Sequence, residues 1–425
     1  MYINDLEVNI HSQIIFFADD TMLFSIVKNP TISANELNQD LETIRQWAYQ
    51  WKLEFNPDPI KQATELLFSC KNKPPVHPPL FFNGNIVTKV VEHKHLGLLL
   101  DKKLSFKSHV NEKITQTKKT VGMIRHLSKY LPVKTLLLIY KSLVRPHFDY
   151  CDIIFHIPTF DNNLVNNEHQ NILMAKIERV QYQAALAITG TWQSTSRIKL
   201  YKELGLESLS DRRSLNCVIQ LSKIKNNLTP KFLRNKMPQL SIQNNPNANP
   251  NIFNARIART QRFKSTFFPN AISMWNNIIG NIRGIITKNS IKSHVLKIIR
   301  PIPKSLYGIH DPIGLHYLFQ LRTGLSPLRS HKFRHRFLDT PTDTCICNEG
   351  VENTNHFFFE CFLLAIHRVS LAVEVTNILR QNNLLNLANN VDFYLYGHPN
   401  LSVNDNRQVL LSSIEYIKNS QRFSL

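Results

Sequence analysis

Two short apolar runs near the start of the chain, Ile14-Ile15-Phe16-Phe17-Ala18 and Met22-Leu23-Phe24, flank the acid pair Asp19-Asp20. Each run is too short for a helix and rich in strand-favouring residues, so the pattern predicts a β-hairpin with the acids at its turn. A helical stripe follows, in which Leu37, Leu41, Ile44, Ala48 and Trp51 recur at steps of three and four, with Ser33 and Glu36 as a capping box ahead of it. Strands are predicted at 52–56 and 64–69, a turn at Asn83-Gly84, and a buried strand at 95–100.

From about residue 104 the period becomes helical. Val110, Ile114, Val121, Ile124 and Leu127 share one face, with Thr117 in the remaining place. Pro132 suits the first turn of a helix running to Val144. A third helix is predicted over 166–188, ending at Gly190, with Ile172, Ile177, Val180, Ala184 and Ile188 as bundle core. Residues 227–251 are dense in Asn and Pro without periodicity and read as a linker or long exposed loop. Helices are expected again near 372–379 and 409–418. The fold class is therefore α+β: a mixed segment at 1–103, a helical one at 104–215, a linker and connector at 216–340, and a Cys/His region with helices at 341–425.

Charge changes this picture. The formal net charge is +20, and between Arg212 and His310 there is no acid at all, against seventeen Lys and Arg in those 99 residues. Such a balance predicts an anionic partner. Arg256, Arg259 and Arg262 would share one side of a helix, Lys264 follows, and Phe263, Phe267, Phe268 and Trp275 are interleaved. Lys and Arg give sequence-independent phosphate contact, and aromatics can stack on unpaired bases, although each aromatic taken singly reads as core. Lys332, Arg334 and Arg336 would lie on one side of an extended segment and spread around a helix; the pattern fits both. A protein-interaction module is the weaker reading, because it needs an acidic partner that nothing here names.

The six cysteines lack the spacing of a disulfide framework, and three of them cluster. Cys345, Cys347, His356 and Cys361 give C-x-C-x8-H-x4-C. Three thiolates and an imidazole are a ligand set for structural Zn²⁺; the alternative is reduced cysteines packed beside Phe357, Phe358 and Phe359. Asp19 and Asp20 likewise suit Mg²⁺, or simply an Asp-rich turn. No run of eighteen apolar residues and no signal-peptide pattern occurs, so the expectation is an intracellular protein of nucleus or cytoplasm with no membrane span.

The segments Met1-Tyr2-Ile3-Asn4-Asp5-Leu6, Phe17-Ala18-Asp19-Asp20-Thr21, Trp51-Lys52-Leu53-Glu54-Phe55-Asn56, His95-Leu96-Gly97-Leu98-Leu99-Leu100-Asp101 and 140–150, with the Cys/His cluster, resemble reverse transcriptases of non-LTR, jockey-like retrotransposons. The resemblance implies a palm at 1–103, a thumb at 104–215 and a zinc knuckle. It implies an RNA-directed DNA polymerase in which Asp19 and Asp20 hold Mg²⁺. It also implies that a lysine, matched with an altered gap by Lys61, lies near the incoming nucleotide. Its partners would be an RNA template, a DNA primer or target DNA, and deoxynucleotides. In that family another catalytic aspartate and the fingers precede the hairpin, which here begins about a dozen residues into the chain. The expectation is thus a polymerase portion inactive by itself, or a non-catalytic RNA- or DNA-binding remnant.

Overall fold

The computed structural model describes residues 5–423 except 19, 57, 59–62, 70, 72, 156–167, 240–251, 255–259, 265, 278–305 and 307, with backbone only at 168–171 and 261–262. The chain divides into two units, Met1–Val110 and Asn111–Leu425.

In the first unit the predicted hairpin forms from β1 (Gln13–Phe17) and β2 (Asp20–Phe24), antiparallel, with Phe17 opposite Asp20. Ala18 takes a left-handed φ of 56°, as a two-residue hairpin turn matched to the strand twist requires. Ile14, Phe16 and Leu23 turn inward onto a core with Ala34, Ile44, Leu80, Phe82 and Val87. Helix α1 (Pro30–Gln50) supplies Ala34 and Ile44 to it. The helix starts earlier than the Ser33 reading. Asn29 Oδ1 accepts hydrogen bonds from the amides of Thr31 (3.0 Å) and Ile32 (3.3 Å), and Pro30 sits where its missing N–H costs nothing. Ser33 is instead buried inside the helix. Asp40, fully buried, accepts from the amides of His11 and Ser12 at 2.8 Å each, and so fastens α1 to the segment leading into β1.

The remaining strands are short: β3 (Thr64–Glu65), β4 (Phe81–Phe82), β5 (Asn85–Ile86), β6 (Thr88–Lys89), β7 (Glu92–His95) and β8 (Leu98–Asp101). They pair as β3 parallel to β6, β4 with β5 and β7 with β8, so the described residues hold four open two-stranded ribbons. Asn83 and Gly84 form the predicted turn, both with positive φ. The strand expected at 52–56 is absent. Lys52 is left-handed, and Leu53 and Lys52 donate back to Ala48 and Tyr49, so these residues close α1. At 64–69 only two residues pair. The single strand expected at 95–100 is a hairpin, because Leu96 and Gly97 both adopt positive φ and reverse the chain.

Helix α2 (Lys107–Leu127) crosses the boundary between the units and buries Val110, Ile114, Thr117, Val121 and Ile124 of the predicted stripe, with Leu127 half-buried. After Pro132, α3 (Val133–Ile139) continues as a π-turn, Tyr140–Val144. Helix α4 (Glu168–Thr189) ends at Gly190, whose φ is 61°, and buries Ile177, Val180, Ala184 and Ile188; Ile172, expected in the core, is exposed. Next come α5 (Arg197–Leu204), α6 (Leu209–Lys225) and α7 (Phe267–Asn277). Leu215, Val218 and Leu221 of α6 pack with Ala271, Ile272 and Trp275 of α7. Part of the expected linker is a short helix, Lys231–Asn235, and residues 240–251 lie outside the described residues.

The last stretch carries α8 (Pro312–Thr323), α9 (Arg329–Arg334), α10 (Ala365–Gln381), α11 (Val391–Tyr396) and α12 (Val403–Asn419). Helices α8, α10 and α11 all pack on α12. The stretch Phe362–Gln381 is long and apolar enough to cross a membrane by length and composition, with a mean hydropathy of 1.5. Its Leu371, Val375 and Leu379 are buried and Glu374 accepts a hydrogen bond from Ser412 of α12, while Ile366, Val369 and Val373 are exposed.

Candidate metal centre

A tight loop brings the first two cysteines together. Thr344 and Val351 bridge across it, the Cys345 amide donates to Gly350 O (2.7 Å), and the Asn348 amide donates to Cys345 O (2.9 Å). Asn348 turns the chain with a φ of 63°, a conformation Asn tolerates better than most residues. The other two ligands bracket a π-turn, His356–Glu360, which Cys361 closes by donating its amide to His356 O (2.9 Å). Asn353 Oδ1 holds the start of that turn through the His356 amide at 2.8 Å. The turn points His356 one way and sends Phe357 and Phe358 into the core, where they meet Tyr416 of α12 and Tyr394 of α11.

All four predicted side chains are buried, and their ligand atoms lie within 4.8 Å of one another. Cys345 Sγ is 3.8 Å from Cys361 Sγ, and Cys347 Sγ is 3.2 Å from His356 Nε2. Burial, with Cys361 and Glu352 nearby, pushes the Cys345 thiol up to about 12. Burial acts the same way on Cys347, but the Glu349 amide and the neighbouring ligands overcome it and hold that thiol below its ordinary value. Three soft sulfurs and an imidazole converging in buried positions fit a Zn²⁺-like ion.

Two supports were missed in the sequence. Glu360 Oε2 lies 3.2 Å from His356 Nδ1, which fixes the ring and leaves Nε2 facing the sulfurs. Its i+4 spacing from His356 was a usable signal. Glu352 lies 3.9 Å from Cys345 Sγ and pairs at 2.7 Å with Arg422, which itself reaches Cys345 Sγ at 3.8 Å. No spacing rule joins a residue at 422 to one at 345.

The second candidate metal site falls only in part within the described residues. Asp19 lies outside the described residues, as does Lys61. Asp20 is exposed at the start of β2, and the imidazole it acts on is that of His93, which burial and His95 hold below its ordinary value against the pull of Asp20. Mg²⁺ takes hard oxygen ligands in octahedral order, and among the described residues Asp20 is not gathered with two further ligand groups.

Arg256 and Arg259 lie outside the described residues, and so does the side chain of Arg262; Lys264 is exposed on a short helix, Gln261–Lys264. Trp275 is core, with Lys225 Nζ 5.3 Å from its ring centre. The acid-free stretch is less free of acid in space than in sequence. Arg212 bonds Asp149 and Glu207 at 2.7 Å each, and Arg213 is fully buried. Lys332 and Arg334 are helical, so the extended alternative fails; Lys332 pairs with Asp339, while Arg334 and Arg336 are exposed.

No protein-family model matches the chain, and no solved structure does. Three Drosophila melanogaster proteins are similar to it. The probable RNA-directed DNA polymerase from transposon X-element is 24% identical over 236 residues, 54% of this chain and 24% of that protein. The RNA-directed DNA polymerase from mobile element jockey is 24% identical over 232 residues, 54% and 23% of the two chains. The probable RNA-directed DNA polymerase from transposon BS is 25% identical over 201 residues, 47% and 21%. The chain spans about a quarter of the length of these curated relatives. It is distantly homologous to the reverse transcriptases of non-LTR retrotransposons of the jockey, BS and X-element kind.

Proposed function

We propose that this chain is part of the RNA-directed DNA polymerase of a non-LTR retrotransposon, and that by itself it binds nucleic acid without joining nucleotides. The observation that carries the reading is the similarity to three such polymerases over about half of the chain. The net charge of +20 supports a polyanionic partner. Cys345, Cys347, His356 and Cys361 would hold a structural zinc that fixes the knuckle and supplies no reaction chemistry. The non-catalytic reading rests on ligand count: two-metal phosphoryl transfer needs carboxylates that bracket both ions, and Asp19 and Asp20 sit side by side at one turn.

Primer extension on an RNA template with Mg²⁺ or Mn²⁺, beside titration with labelled RNA at several salt concentrations, tests this. The expected result is saturable binding that weakens with salt, and no extension. Metal-dependent extension that Asp20→Asn abolishes would overturn the non-catalytic reading. Absence of binding at low salt would overturn the nucleic-acid reading altogether.

A further inference from the structure

Helix α9, like α1, closes on a left-handed residue that is not glycine. The Arg336 amide donates to Phe333 O (2.9 Å) and the Phe337 amide to Lys332 O (3.1 Å), the paired bonds that close a helix through one left-handed residue. That residue is usually glycine, because a side chain there is strained. Here it is Arg336, with φ 56°. Its side chain is exposed, so no internal packing accounts for the choice.

The strained arginine borders an open groove of about 560 Å³ lined by Phe333, Arg334, Arg336, Phe337, Leu338 and Pro341, with no acid in the lining. Phe333 is 47% exposed and Leu338 fully so, an expensive display for a ring and a branched side chain beside two cations. Phe337 anchors the floor, 5.4 Å from Trp192. Among the described residues no ion pair engages Arg334 or Arg336; the one local acid partner, Asp339, is taken by Lys332. Strain held at a functional position is a recurring feature of binding sites.

We propose that this groove binds an unpaired strand of nucleic acid, with a base stacked on Phe333 and its flanking phosphates held by Arg334 and Arg336. A flat apolar ring flanked by free cations matches the two faces of a single strand, a π-surface and a phosphate chain. A duplex hides its base faces and leaves Phe333 without a partner. The inference rests on the nucleic-acid reading above and gives it a location.

The test uses the full chain and a labelled twenty-nucleotide oligo-U or oligo-dT, titrated by fluorescence anisotropy over a salt series. Phe333→Ala should weaken binding about fivefold or more. Phe333→Tyr should retain affinity and Phe333→Leu should lose it, which separates stacking from folding. Arg334→Gln and Arg336→Gly should each flatten the log-log salt dependence by about 0.7. Arg336→Gly should also raise the melting temperature by roughly 2 °C, since glycine relieves the strain. Variants that bind like the wild type, with the same slope, would overturn the groove and leave the general reading standing. A wild type that binds no oligonucleotide at low salt would overturn both. Tighter binding of a duplex of equal length through the same side chains would overturn the assignment to an unpaired strand.

Discussion

The knuckle and the Asp19-Asp20 hairpin are both read from sequence as metal sites, and they differ in how far along the chain their ligands must be gathered. At the knuckle every ligand comes from 345–361, so one turn and one π-turn suffice to gather them. At the hairpin the turn delivers Asp20 to the end of a two-stranded ribbon, and the rest of a two-metal centre would have to arrive from elsewhere. A site assembled by local backbone can be carried whole by a short stretch of chain; one assembled across a sheet cannot.

Removing the metal should give the largest effect. Elemental analysis of the purified chain should find one zinc, and Cys361→Ser or chelation should release it and unfold the knuckle, because in small zinc modules roughly 10 kcal/mol of binding free energy is folding free energy. A zinc-free protein with an unchanged circular dichroism spectrum would reduce the knuckle to packed cysteines. The next effect belongs to the hairpin unit and involves no metal. Burial would raise the Asp40 carboxyl, but the amides of His11 and Ser12 prevail and hold it below the usual carboxylate range. Its contribution is therefore complete above about pH 4, the unfolded value, and lost as pH falls through the lower folded one. Asp40→Ala should cost about 3 kcal/mol at neutral pH, measured by urea denaturation. Glu360→Gln should weaken zinc binding about 10- to 100-fold in a chelator competition, without changing the four ligands. The smallest effect is expected at Asp20. Asp20→Asn should change stability by less than about 0.5 kcal/mol, as for an ordinary exposed residue; a large loss of metal affinity there would mark the hairpin as a metal site.

How much could be read in advance follows the same division. The stripe Val110 to Ile124, the stop at Gly190, the turn at Asn83-Gly84 and the knuckle ligands are all set by neighbours a few residues away, and each stands where its pattern put it. The capping box at Ser33 failed locally, because Asn29-Pro30 offered a better start one turn earlier. The strand at 95–100 failed because Leu96, an unlikely left-handed residue, joined Gly97 in a turn. Arg212 looked like surface charge because its partners, Asp149 and Glu207, lie outside the acid-free stretch. Arg422 gave no signal for a similar reason: its partner Glu352 is 70 positions away.

Phe423 is buried against Phe357 and Tyr317, beside the Arg422 pair. Arg422 and Phe423 thus act as the keystone of the knuckle. Replacing Phe423 with alanine would leave an aromatic-sized void beside Phe357, one residue from His356, and weaker zinc uptake would report it.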